Sequence, residues 1–104
     1  MTYNGYTNYE TWCVNLHISN LQGEQDYWNE RASFAMAHSD PSNDHMDARC
    51  ELAEELRDTF LEKYEEQKPD NTILADLLRA ALSEVNWHEL ARNYVEAAQE
   101  VSNG

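Results

Sequence analysis

Residues 44–66, DHMDARCELAEELRDTFLEKYEE, decide how this chain is read. Met46, Ala53, Leu56, Phe60 and Tyr64 fall at helical spacing and form one apolar stripe. Asp47, Glu51, Glu54, Glu55, Asp58, Glu62, Glu65 and Glu66 fall within an arc of roughly 120° on another side, at 100° per residue. This segregation predicts an amphipathic helix roughly 33 Å long, capped by Asn43 or Asp44. No cation falls within the acidic arc. Carboxylates three or four residues apart repel by a few tenths of a kcal/mol per pair. Local helix stability therefore does not explain the face; solubility or a cationic partner does.

The same periodicity extends in both directions. A first helix starts near Thr7, where Thr7 and Glu10 have capping-box spacing, and Gly23 suits its end. Its apolar residues (Trp12, Cys13, Val14, Leu16, Ile18, Leu21) cover much of the circumference, which predicts a central position. A second helix runs from about Glu24 to His38, with Trp28, Ala32, Ala35 and Met36 inward. Asp40-Pro41-Ser42-Asn43-Asp44 is a turn-rich break. After a second break at Lys68-Pro69-Asp70-Asn71, a fourth helix places Leu74, Leu77, Leu78, Ala81 and Leu82 inward. Asn86 and Glu89 form another capping pair, so a fifth helix begins at Trp87. Leu90, Ala91, Tyr94, Ala98 and Val101 form its core side, and Ser102-Asn103-Gly104 fray. The fold class is all-α: one compact domain of about five helices over residues 1–104. The first few residues are the one place for extended chain.

Composition narrows the function. Hydrophobic content of 41% with 11% aromatics supports a packed core, so disorder is disfavoured. Twenty acids against seven bases give a net charge of −13, which is repelled by nucleic acid and by anionic membranes. Arg31, Arg49, Arg57, Lys63, Lys68, Arg79 and Arg92 are scattered along the chain and form no basic patch in sequence. Many acids with only two lysines also suit a protein adapted to high salt. Cys13 and Cys50 lie among helical apolar positions and read as buried free thiols. With no signal-like N-terminus and no long apolar run, the expected location is a reducing cytoplasm.

The segment Asn4-Gly5-Tyr6-Thr7-Asn8-Tyr9-Glu10-Thr11-Trp12 resembles the signature of a family of small, mostly uncharacterised proteins. That family occurs in phages, archaeal viruses, plasmids and prophages. Val14-Asn15-Leu16, Val85-Asn86-Trp87 and Leu90-Ala91 add to the resemblance, which lies at the two ends of the chain. It implies a viral or mobile-element setting and carries over no catalytic residue. The residues themselves read as a packing motif that joins the first and last helices through Trp12 and Trp87, with Gly5 permitting a tight entry turn.

Chemical motifs are weak. His88-Glu89-Leu90-Ala91-Arg92 has Arg92 where a zinc-helix motif needs its second histidine. His38, Asp40, Asp44, His45 and Asp47 match no calcium loop or zinc spacing, and they suit a helix–helix turn. No Glu-x-x-His pair of the di-iron bundles occurs. Cys13 and His17 share a helix face but lack an oxyanion loop. The expectation is a protein with no enzymatic activity, no cofactor and no metal. Its eight-carboxylate face is the candidate site, and it would meet a cationic, nucleic-acid-binding host protein as phosphates do. A restriction or CRISPR component is the kind of target a mobile element gains by blocking. The alternative is a small structural or assembly protein, a homodimer through an aromatic patch, whose acidic face is solvated surface.

Overall fold

A computed structural model describes the backbone of residues 2–103 and the side chains of residues 2–100. The fold is all-α, as expected, with five helices and no strand among the described residues. They are α1 (Tyr9–Ser19), α2 (Gln22–Ala37), α3 (Met46–Gln67), α4 (Thr72–Ser83) and α5 (Trp87–Asn103), with a 3₁₀ turn at Pro41–Asn43. Helices α2, α3 and α5 pack against one another most closely, and α1 and α4 lie at the edges.

Local chemistry sets most boundaries. At the N-terminus, Tyr3 and Tyr6 exchange backbone hydrogen bonds of 2.7 and 2.8 Å. Asn4 and Gly5 between them have φ of 48° and 88°, the left-handed pair that suits Asn-Gly in a two-residue hairpin turn. Asn8, not Thr7, caps α1: its Oδ1 accepts from Thr11 N at 2.9 Å. The expected Thr7–Glu10 box does not form, because Thr7 N donates to Glu89 Oε1 of α5 instead. Gly23 does not end α1 either. The helix stops at Asn20, extended Leu21 follows, and Gly23 lies in the first turn of α2. Asp40 Oδ1 accepts from Ser42 N to start the 3₁₀ turn, and Asn43 Oδ1 accepts from Met46 N to start α3. Asn71 caps α4 through Ile73 N and Leu74 N, and Asn86 Oδ1 accepts from Glu89 N at the start of α5. Helix α5 runs through Ser102 to Asn103, past the point where the sequence reads as frayed. The Val101 side chain and Gly104 lie outside the described residues.

The core is built from Ile18 of α1, Trp28, Ala32 and Ala35 of α2, Ala48, Leu52, Ala53 and Leu56 of α3, and Leu90, Ala91, Val95 and Ala98 of α5, with Val85 from the α4–α5 link. Each fully buried Ile or Leu stabilises by about 1.5–3 kcal/mol. The alanines let α2, α3 and α5 approach closely.

Several burial expectations are corrected. Helix α1 is peripheral, burying only Thr11 and Ile18 and leaving Leu16 exposed. Met46 is exposed, while Ala48 and Leu52 are buried beside the acidic arc. Cys50 is exposed and Cys13 half-buried, both as free thiols. The largest departure is α4, which has no buried residue. Ile73, Leu74, Leu77 and Leu78 are 69%, 54%, 61% and 42% exposed. The radius of gyration is 14.7 Å, above the roughly 13 Å typical of a compact chain this long.

Candidate functional site

The eight carboxylates of α3 divide by what surrounds them. Glu55, at the edge nearest α2, takes a two-pronged contact from Arg31: Nε to Oε1 at 2.6 Å and Nη2 to Oε2 at 3.2 Å. Glu55 is the chief reason that the Arg31 guanidinium holds its proton more tightly than usual, and Glu51 adds a smaller pull. Asp58 meets Arg57 at 3.3 Å and Glu65 meets Lys68 at 3.2 Å. Asp47 accepts from Asp40 N at 3.2 Å and so ties the preceding turn to α3. Glu51, Glu54, Glu62 and Glu66 are exposed and make no ion pair among the described residues. The expectation of a face without cations is therefore corrected. Arg31 comes from another helix and Lys68 from beyond the end of α3, so neither falls on the helical arc in sequence. Three cations reduce the eight formal charges of the face to five.

The two ends of the chain meet, but not through Trp12 and Trp87. Trp12 packs on Tyr3 and Tyr9 at centroid distances of 5.0 and 5.7 Å, whereas Trp87 packs on Phe60 of α3 at 5.6 Å. The junction is polar. Thr11, fully buried, accepts from Asn86 N through Oγ1 at 2.8 Å and donates from it to Asn8 Oδ1 at 2.6 Å. Asn8 Nδ2 donates to Glu84 O at 2.6 Å, and Asn86 Nδ2 donates to Thr7 Oγ1 at 3.2 Å. Small polar residues fit because three helix ends, the start of α1, the end of α4 and the start of α5, bring unpaired backbone groups together here. Thr11, Asn86 and Glu89 are the structural residues that helical periodicity could not pair across 75 or more positions.

The other chemical candidates resolve into ordinary structure. Around the Asp40–Asp44 break, Asp40 and Asp47 hydrogen-bond to backbone, Ser39 Oγ bonds His45 Nδ1, and Asp44 pairs with Arg49 at 3.3 Å. Two hydrogen bonds from Ser42 hold the Asp40 carboxyl below its usual pKa. Among the described residues no three His, Cys, Asp or Glu side chains gather as a metal site would. The Cys13 thiol is a partner of the Tyr9 phenol, whose pKa it raises, and His17 is exposed. Arg49 and Arg92, distant in sequence, line one shallow cleft with Thr7, Met46, Asn86, His88 and Glu89. The bases are thus less dispersed than the sequence implies, but Arg49 Nη2 already faces Asp44 and, at 3.6 Å, Glu96.

One apolar groove lies between α1 and α4, floored by Cys13, Val14, Leu78, Ala81, Leu82 and Val85. Tyr9 and Glu10 form part of its wall. Its signal in the sequence was the Leu stripe of α4, which periodicity assigns to a core because it cannot say what covers an apolar side.

No helix among the described residues is long and apolar enough to cross a membrane. No curated protein and no solved structure matches the chain significantly. Residues 1–101 match the model of DUF7249, a family of unknown function, and the chain belongs to that family.

Proposed function

We propose that this protein is a non-enzymatic acidic protein of a virus or mobile element. It acts in the host cytoplasm by binding and inhibiting a nucleic-acid-binding defence protein, of restriction or CRISPR type. The observation that carries the reading is the row of exposed Glu51, Glu54, Glu62 and Glu66, without ion pairs among the described residues, along the 22-residue α3. From Asp47 to Glu66 the helix rises about 29 Å, so eight carboxylates give one charge per roughly 4 Å. A single DNA strand carries one per about 3.4 Å. After pairing with Arg31, Arg57 and Lys68, the net density falls to one per roughly 6 Å. A Lys- and Arg-lined cleft would displace Arg57 and Lys68 readily, since exposed pairs of this kind are worth about 0–1 kcal/mol. Association would be fast and weaken with salt.

The test is a fourfold reversal, Glu51→Lys, Glu54→Lys, Glu62→Lys and Glu66→Lys, in cells carrying a restriction or CRISPR system challenged with targeted plasmid. The wild type should raise plasmid survival and the reversed, folded variant should not. Equal protection by both would exclude the acidic face as the inhibitory surface. No protection by the wild type against any such system would remove the function itself.

A further inference from the structure

Among the described residues, α4 is the helix that buries none of its own side chains and leaves the largest run of apolar ones exposed. A 12-residue helix is marginal on its own, yet α4 touches the body mainly along α3, with Tyr64 Oη donating to Ala75 O at 3.2 Å. Leu74, Leu77 and Leu78 stay more than two-fifths exposed on one stripe with Ala81. The stripe runs into the apolar groove against Cys13 and Val14 of α1.

Charge selects what can cover it. Every other helix is net negative, whereas α4 carries only Asp76 and Arg79 and is neutral. Both lie on the side of α4 away from Leu74, roughly 140–160° around the helix. A cationic partner therefore gains little at this face and is drawn to α3 instead. For two copies of a −13 chain, α4 is the helix across which like charges oppose least. The pattern is also self-complementary, as an isologous contact requires. In an antiparallel pair with its two-fold axis between Leu77 and Leu78, the Leu77 and Leu78 side chains of both copies gather at the axis, and large Leu74 meets small Ala81. Stable interfaces bury about 800 Å² per partner, more than one short helix face offers. The apolar floor continues from α4 onto Cys13 and Val14 of α1, which extends the face beyond the one helix.

We propose that a second copy of this chain covers α4, so that the protein is a two-fold homodimer paired antiparallel through Leu74, Leu77, Leu78 and Ala81. The aromatic patch of Tyr3, Tyr9 and Trp12 borders this interface and does not centre it. The acidic arc of α3 is centred roughly 140° around that helix from Tyr64, which packs on α4. Both acidic faces therefore stay in solvent, and the dimer stands or falls independently of the inhibitory reading.

Sedimentation equilibrium of the full chain across the micromolar range, at low and high salt, tests this. Expected is twice the monomer mass, insensitive to salt, with Leu77→Asp and Leu78→Asp each monomeric and unchanged in helical circular dichroism. As a check on register that does not need those variants to fold, Leu77→Cys and Ala81→Cys are made with Cys13→Ala and Cys50→Ser. Oxidation should link Leu77→Cys into a covalent dimer, its two copies being about 2 Å apart along the axis. Ala81→Cys should not link, its copies being displaced by about 10 Å. A wild-type monomer at every concentration, a dimer that survives Leu77→Asp, or linkage at position 81 in preference to 77 would each overturn the proposal.

Discussion

Thr11→Val tests whether a buried polar junction, and not aromatic packing, closes the chain. Valine matches threonine in shape, so no cavity opens, but it can neither accept nor donate. The Asn86 N–H, now 2.8 Å from Thr11 Oγ1, would lose its acceptor at a partly buried position. An orphaned buried donor costs about 1–3 kcal/mol. The 2.6 Å bond from Thr11 Oγ1 to Asn8 Oδ1 would also go, at about 1 kcal/mol, while Asn8 keeps its cap on Thr11 N. The expected loss is roughly 2–4 kcal/mol, a large share of the 5–15 kcal/mol typical of a domain. In thermal unfolding it should appear as a fall on the order of 10–20 °C for a domain near this size. Asn8→Ala removes the cap and the bond to Glu84 O. Because the two side chains share one network, the double variant should lose less than the two single losses combined. A Thr11→Val protein within about 0.5 kcal/mol of wild type, the range of an ordinary surface change, would refute the reasoning. So would strict additivity with Asn8→Ala.

Burial raises the Tyr94 phenol to about 12, chiefly by desolvation, with Tyr6 and Glu24 adding to it. The unfolded chain releases this proton near the ordinary phenol value of 10.0. Stability from Tyr94 is therefore complete below about pH 10 and is lost as pH rises through the folded value of about 12. Tyr94→Phe should flatten that alkaline decline in denaturant midpoint, and an unchanged slope would remove burial as its cause. At Gly5, φ is 88° and a Cβ would meet nothing within 4 Å, so substitution costs backbone strain alone. Gly5→Ala should lose about 1–2 kcal/mol and weaken the near-ultraviolet dichroism of the Tyr3–Tyr9–Trp12 stack. Gly5→Asn, whose side chain tolerates the left-handed region, should lose less; the reverse order would show that the turn is not what the position serves.

Features set by a few neighbouring residues were legible in the sequence. Asn4-Gly5 makes its hairpin turn, Asn86 caps α5, and the acidic arc lies on α3 beside the stripe that packs. Where a distant residue competes for the same group, local reading fails. Thr7 has capping-box spacing, yet its N–H is taken by Glu89 from 82 positions away, and the cap passes to Asn8. Arg31 neutralises Glu55 from another helix, so a face that is uniformly acidic on a helical wheel is patterned in space.

The failure at α4 is of a different kind, because there the local reading was right about the helix and its apolar stripe. A repeat of leucines states that one side avoids water and leaves open whether the same chain or another supplies the cover. Trp28, Leu52, Leu56, Leu90 and Val95 already fill the space between α2, α3 and α5, so no interior remains for Leu74 and Leu77. The chain is thus left with two unequal surfaces. The chain's net charge of −13 exceeds what solubility of a small domain requires, and α3 carries eight of its 20 acids; on α4, apolar area is left without enough charge to draw a cationic partner. A face that repels its own kind and a neutral face that does not are compatible with one assembly, in which pairing through α4 sets two acidic α3 faces on one particle. A target with two cationic clefts would then bind such a particle more tightly than it binds a Leu77→Asp monomer, by the effective-concentration gain that any second, tethered contact brings. Equal inhibition by dimer and monomer would show that each α3 face acts alone.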